Sequence, residues 1–387
     1  MTAATEIAAP GCAAPPPPSR VDFDRPLVSI LGLPFDAIDL GTAVRHVREA
    51  AFAGRRCFVS TPNLNFAMAA RTDAAFRGSV LRSDLSLVDG MPLVWIARLL
   101  GLPVRERVSG ADLFESLQAH TGPPVSVYLF GGPPGAAALA ADAINRRCGG
   151  VRCVGFDTAG FGSVESMSSD EQMARINRSG ARFVVVSLGA AKGQAWIERN
   201  AMRLEAPVLS HLGAVVNFAA GTVRRAPRWV QASGFEWLWR IRQEPALWRR
   251  YWHDGTQMLG LLATRVLPDA IDGLRWRWFG RPEVSPAQIE LLPTMGGRAL
   301  RLGGDWRDER RLPALRSALA QCAADGAPLR VDLAGVSAVS SAFSGLLLLA
   351  SGWFERHGGF EIVGVTPRLA AGLHRKLVGE TPLGSGR

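Results

Sequence analysis

No stretch of this chain is apolar for the ~18 residues that a membrane-crossing helix needs. The longest candidates, residues 258–267 and 342–354, are too short, and Arg265 interrupts the first. Any work at a membrane is therefore done from its surface. Cysteine is scarce and odd in number: Cys12, Cys57, Cys148, Cys153 and Cys322. None has metal-ligand spacing, and a reduced, cytoplasmic compartment is the simplest setting. The six histidines are scattered, so no metal and no cofactor is expected. Lysine is almost absent, only Lys192 and Lys376, so the cationic charge is nearly all arginine. Acidic residues fall short too, 34 against 44 basic ones, for a formal net charge of +10. That excess favours phosphate-bearing partners. No nucleic-acid reading motif accompanies it, so nucleic acid is not expected. Residues 1–20, rich in Ala and Pro, lack a basic segment followed by an apolar one and read as a disordered leader rather than a signal peptide.

What is present is a chain of 387 residues, long enough for two domains, with 48% hydrophobic residues to build cores. Strand and helix signals alternate after the leader. Strands are expected at 28–33, 57–60, 85–88, 125–130, 151–156, 183–187 and 208–212, and helices at 39–53, 64–71, 74–81, 91–100, 136–147 and 194–204. This alternation predicts an α/β fold with a Rossmann-like, mostly parallel sheet and flanking helices over 21–228. From Arg224 to Arg250 the pattern changes. Seven arginines face only Glu236 and Glu244, interleaved with Trp229, Trp237, Trp239 and Trp248. A helical, Arg/Trp-rich appendage is expected over 229–279, with Pro245 breaking it. A Pro-bearing linker over 280–294 then leads to a second, small α/β unit at 295–380.

Polar residues cluster where strands give way to helices: Thr61-Pro62-Asn63, Asp89-Gly90, and Glu106-Arg107 with Gly110 and Asp112. In an open α/β sheet these are carboxyl ends of strands, where ligands bind. One carboxylate, one hydroxyl and one guanidinium there can activate a hydroxyl and hold an anion. Each residue also has a structural reading. Asp89 and Asn63 can close turns or cap helices, Glu106-Arg107 can be a solvated pair, and Asp112 can cap the next helix. Gly131-Gly132-Pro133-Pro134-Gly135 joins a strand to a helix in the manner of a phosphate-cradling turn, yet fits neither the dinucleotide fingerprint nor the P-loop. Asp22-Phe23-Asp24 matches the DxD pattern but precedes the first strand and reads as chance.

Taken in order, these segments resemble the WecG/TagA/CpsF glycosyltransferases. The resemblance rests on Thr61-Pro62-Asn63, Val88-Asp89-Gly90, Glu106-Arg107-Val108-Ser109-Gly110-Ala111-Asp112, Phe130-Gly131-Gly132, Leu188-Gly189 and Gly213. It continues through Gly221-(x)3-Arg225-Ala226-Pro227, Glu236-Trp237-Leu238-Trp239-Arg240 and Gln243-Glu244-Pro245-(x)4-Arg250-Tyr251. It implies transfer of a sugar from a UDP-sugar to a polyprenyl-diphosphate-linked sugar, without a metal and with inversion, at the inner face of the cell membrane. It also implies Asp89 as the base, Thr61 and Arg107 in the active site, and Arg240 and Arg250 reaching the diphosphate. Asn63, Gly90, Gly110, Asp112, Gly131, Gly132, Gly189, Lys192 and Arg225 complete the expected substrate-binding set. The Arg/Trp tract suits an anionic membrane surface. Where the family usually has Gly-x-Pro-Lys-Gln-Glu, the stretch after Leu188-Gly189 is Ala190-Ala191-Lys192-Gly193-Gln194; Lys192 is kept, but Ala191, Gly193 and Gln194 stand for the Pro, Gln and Glu, so the donor sugar stays unassigned. That departure sustains a rival reading, a scaffold in a polysaccharide assembly complex that no longer turns over sugar.

The last unit looks like a STAS domain, on Val331-Asp332-Leu333-Ala334-Gly335-Val336 and Val339-Ser340-Ser341-Ala342-Phe343. The resemblance implies a protein partner and a phosphorylatable Ser341, with Ser340 where the family has Asp. Ser341 as a plain helix cap is the structural alternative.

Overall fold

The computed structural model describes residues 21–158, 160, 162–278, 286–294 and 296–377. The expected leader, most of the first half of the expected linker and residues 378–380 lie outside the described residues. The chain begins with an antiparallel hairpin, β1 (Leu27–Ile30) and β2 (Leu33–Asp36). Leu31 and Gly32 form its two-residue turn, both at positive φ (50° and 79°). That is the primed turn geometry whose twist matches the flanking strands. The single strand expected over 28–33 is thus corrected. The apolar run passes straight through the turn, and Leu31 carries no turn chemistry to mark it.

Repeated βα units follow: α1 (Leu40–Ala53), β3 (Cys57–Ser60), α2 (Leu64–Ala69), α3 (Ala74–Leu81), β4 (Leu85–Ser86), α4 (Met91–Leu100) and α5 (Gly110–Ala119). After them come β5 (Val125–Gly131), α6 (Ala136–Arg146), β6 (Val151–Asp157), α7 (Asp170–Arg178), β7 (Phe183–Ser187), α8 (Ala190–Asn200) and β8 (Val208–His211). Six strands form one sheet in the order β4-β3-β8-β7-β5-β6, and every pairing in it is parallel. Alternate residues serve opposite faces. Val127 and Leu129 pack under α1, α5 and α6, while Phe130 stacks on Trp196 of α8 with ring centroids 4.2 Å apart. Strands covered on both faces read as continuous apolar runs, which is why they are legible. Helix α8 starts four residues before the expected 194, because Gly189 opens it without a side-chain cap to signal the start.

The appendage is helical as expected. A short α9 (Val215–Ala219) precedes α10 (Arg228–Ser233) and α11 (Glu236–Gln243), and a 3-10 turn at Pro245–Leu247 leads into α12 (Trp248–Leu261). A π turn, Leu262–Val266, joins this to α13 (Leu267–Trp278). Leu261 and Val266 are buried in one cluster with Val28, Ile30 and Phe66, so the appendage is seated on the core. No helix among the described residues is long and apolar enough to cross a membrane.

The C-terminal unit contains β9 (Gln288–Thr294), β10 (Gly297–Trp306), α14 (Leu312–Ala324), β11 (Leu329–Val339), α15 (Ser341–Phe354), β12 (Phe360–Val363) and α16 (Pro367–Lys376). Its sheet runs β12-β11-β10-β9, with β9 antiparallel to β10. The second half of the expected linker is therefore a strand, its Ile289 and Leu291 packed on this unit's core. The prolines around it hid the alternation. Phe23 of the DxD-like triplet is buried in the same core, so that triplet is structural.

Candidate active site

Three helices, α4, α6 and α8, start directly past the carboxyl ends of β4, β5 and β7. Their cap residues are Gly90, Gly135 and Gly189, and none has a side-chain cap. By contrast α1, α2, α3, α5 and α7 are each closed by an Asp, Asn or Ser side chain. Uncapped N-termini leave main-chain N–H groups and the positive helix ends open on one edge of the sheet, which suits an anion.

Main-chain hydrogen bonds bring three sequence motifs together at this edge. Asp89 N–H donates to Pro62 O at 3.0 Å, and Val108 N–H donates to Val88 O at 2.9 Å. The motifs around Thr61, Asp89 and Arg107 thus lie side by side. Gly110 has to be small here, because an added Cβ would sit 2.6 Å from Leu212 and 3.4 Å from the Thr61 hydroxyl oxygen. Gly90 holds φ at 141°, a conformation that other residues rarely adopt.

The Asp89 carboxylate does not cap α4, since Gly90 takes that position with no side-chain bond. It faces the N–H of Gly110 instead. The residue is only partly exposed, and burial pushes its carboxyl up to about 7. Arg107 pulls the other way, while Glu236 and Asp112 add repulsion. A carboxylate balanced near neutral pH can accept a proton and later release it.

Around it lies a dense ion-pair cluster. Arg107 donates to Asp112 at 2.9 Å and to Glu236 at 2.5 Å. Arg225 donates to Asp112 at 2.5 Å and to Glu115 at 2.5 Å, and Gln231 accepts from both arginines. Burial alone would raise the Asp112 carboxyl. The Ser109 hydroxyl and the guanidinium groups of Arg107 and Arg225 outweigh it and hold Asp112 below the ordinary range.

The model of the glycosyl transferase WecG/TagA/CpsF family matches residues 28–270. The chain belongs to this family. A second model, described as Mlab, STAS domain, matches residues 295–378. An N-acetylglucosaminyldiphosphoundecaprenol N-acetyl-beta-D-mannosaminyltransferase of Bacillus spizizenii is 26% identical over 220 residues, which cover 56% of this chain and 84% of that protein. The protein is thus a glycosyltransferase with a STAS domain at its C-terminal side.

The other residues singled out in the WecG/TagA/CpsF-type sequence are distributed as follows. Asn63 caps α2 through Phe66 N–H, so its structural reading holds. Ser109, not Asp112, caps α5. Glu106 is no solvated pair with Arg107, because it accepts from Leu40 N–H at the start of α1. Gly131, at φ 99°, lies so close to β7 that a Cβ would be 2.6 Å from Ser187 O, and Gly132 N–H donates to that same oxygen at 2.8 Å. Lys192, in the first turn of α8, donates to Gly162 O at 2.9 Å. Arg240 pairs with Glu244 at 3.7 Å, and Arg250 is exposed over the Tyr251 ring. Neither shares a hydrogen bond with the Asp89 cluster. Ser341 lies away from this edge, and Ser340 rather than Ser341 caps α15.

This transferase also contains participants that the sequence reading did not single out. Glu236 crosses 129 residues to reach Arg107. Its signals were being one of two acids in the arginine tract and opening the Glu236-Trp237-Leu238-Trp239-Arg240 motif, neither of which points to Arg107. His211 explains part of the departure at α8. A Cβ at Gly193 would lie 2.2 Å from its ring, so the imidazole fills the space that a side chain at 193 would take. Its Nε2 is held by Leu188 O at 2.7 Å, and burial lowers its pKa. The Gln194 amide donates to Ser60 Oγ at 2.9 Å. A cleft of about 330 Å³ beside Asp112 is lined by Phe114, Ile144, Phe218, Arg147 and Arg225.

Proposed function

We propose that this transferase moves a sugar from a UDP-sugar to a polyprenyl-diphosphate-linked sugar, with inversion and without a metal, in exopolysaccharide or related surface-glycan assembly. Asp89 takes the proton of the acceptor hydroxyl as that oxygen attacks the anomeric carbon. The bond from that carbon to UDP breaks, and the diphosphate leaves with the electron pair on the opposite face. The supporting observation is Asp89 itself, a carboxyl raised to about 7 beside the Thr61 and Gly110 motifs, next to the uncapped start of α4 and on the sheet edge where α6 and α8 also start uncapped. Those helix ends and Lys192 meet the departing phosphates, aided by Arg240 and Arg250 from the appendage. Arg107 is already committed to Asp112 and Glu236, so we assign it to tuning and positioning Asp89 rather than to carrying the diphosphate.

The acceptor class follows the name of the Bacillus spizizenii relative, which transfers to a diphosphoundecaprenol-linked sugar. The expected site of action is the inner face of the cell membrane. The appendage supports this with Trp229, Trp252 and Trp278, exposed at 74%, 70% and 80%, among arginines. Aromatic and cationic side chains together suit an anionic headgroup layer. The test is product formation from a panel of UDP-sugars with a lipid-diphosphate-linked sugar acceptor. Transfer that depends on Asp89 supports the reading. Absence of any product across the panel refutes it.

A further inference from the structure

The β1–β2 hairpin is buried on both faces, and its alternation divides it between two partners. Val28 and Ile30 join the cluster that holds Leu261 and Val266 of the appendage. Leu27 joins the core of the C-terminal domain, and Ser29 hydrogen-bonds that domain. The hairpin is a shared wall, two strands thick in sequence and one sheet thick in space.

Helix α15 meets this wall through small residues. The Ser341 hydroxyl donates to Ser29 O at 2.7 Å and accepts from Ser29 N–H at 3.0 Å. A Cβ on Gly345 would lie 3.2 Å from Leu27 Cβ, and one on Gly352 would lie 2.7 Å from the main-chain oxygen of Leu81 in α3. Helix α16 then reaches the appendage. Ser29 Oγ donates to Lys376 O at 2.7 Å, Arg375 pairs with Asp272 at 2.5 Å, and Lys376 Nζ pairs with Asp269. Arg265 of the π turn donates to His374 O. At the other end, Arg356 and Arg82 share Glu198 of α8.

We propose that this face of the C-terminal domain is an interaction surface whose partner is the transferase in the same chain. Through α15 it clamps the hairpin, and through α16 it fixes where α13 stands, so the domain braces the Arg/Trp-rich appendage. Ser341 is 8% exposed with its hydroxyl satisfied on both sides. A phosphate there would set about two negative charges against the Ser29 carbonyl. The docked form therefore excludes both a separate partner on this face and the phosphorylated serine. The clamp rests on geometry alone, whereas its effect on transfer rests on the proposed function.

The experiment is hydrogen exchange on the full chain, read at residues 27–36, 267–278 and 341–354. Gly352→Leu inserts a side chain between α15 and α3, and exchange at 27–36 and 267–278 is expected to rise by about tenfold or more while β5 and β7 keep their protection. Fast exchange in β11 would reveal that the domain itself had unfolded, so a variant at the half-buried ion pair between α16 and α13 is read in parallel. Lys376→Glu is expected to loosen 267–278, and adding Asp269→Lys to restore it. Unchanged exchange at 267–278 in Lys376→Glu, or no restoration in the double variant, overturns the brace. In a transfer assay, Lys376→Glu should raise KM for the lipid-linked acceptor more than it lowers kcat. Loosened α13 with unaltered KM overturns the link to transfer. If the unmodified protein transfers nothing, the proposed function fails while the exchange result stands by itself.

Discussion

Replacing Asp89 by Asn keeps the side-chain shape and removes both the proton acceptor and a costly charge. Loss of a general base is expected to slow transfer by roughly 10²–10⁴-fold. The effect on stability runs the other way. The carboxyl titrates at 3.8 in its ordinary state and at about 7 in the fold. A rise of about 3 units, at ~1.4 kcal/mol per unit, means that keeping it ionised costs the native state ~4 kcal/mol. Because the folded value is the higher one, the unfolded chain releases its proton first. Native stability therefore falls as pH climbs from 3.8 to about 7, and the loss is constant above that. Asn carries no such charge. The variant should match its parent near the acid end of this window and exceed it above pH 7. The gain should be ~2–4 kcal/mol, the lower figure allowing for the partial exposure of Asp89 and its Gly110 contact. Urea unfolding followed by tryptophan fluorescence across this pH range reads the stability, and product formation reads the chemistry. Normal transfer by Asp89→Asn, or a stability difference that does not grow with pH, would refute the reasoning.

Further outcomes are expected. Transfer by the unmodified protein should rise with pH through an inflection near 7, where Asp89 loses its proton. Glu236→Gln removes a repelling charge and should move that inflection to lower pH, whereas Arg107→Gln should move it higher; shifts in the reverse directions would contradict the assigned cluster. Gly131→Ala forces a Cβ against the Ser187 main chain at a positive φ and should lower stability by roughly 1–3 kcal/mol in urea unfolding. Trp252→Glu, at an exposed site on α12, should weaken sedimentation with anionic vesicles by about tenfold, the equivalent of losing part of one buried indole, with the fold intact. Undiminished vesicle binding would remove this tryptophan from the membrane contact.

Much of the transferase fold was legible because parallel strands are apolar throughout and helices α3 and α4 are bounded by plain signals. Asp73 caps one, and Pro92 and Gly101 bracket the other. Where the signal was absent, the reading slipped. The hairpin turn uses a leucine in a left-handed conformation, and no composition rule marks that. The start of α8 is a glycine with small residues after it, which reads equally well as loop. Strand β9 alternates correctly but sits among prolines. At the site, the adjacency of Thr61, Asp89 and Gly110 was legible as a set of strand-tip motifs. The commitment of Arg107 and Arg225 to Asp112, Glu236 and Glu115 was not, because those pairs join residues up to 129 positions apart. The replacement of a side chain at 193 by the His211 ring is another distant exchange, visible only once β8 and α8 are packed together.

The bond between Ser29 and Ser341 joins residues 312 positions apart. At ribosomal speeds of ~5–20 residues per second, the first of these emerges roughly 15–60 s before the second exists. During that interval the hairpin has only one of its two walls, and Leu27 faces water. Nascent chains of this protein should therefore need shielding by a chaperone until the last helix is made, and a premature stop codon late in the message would damage the beginning of the molecule as much as its end.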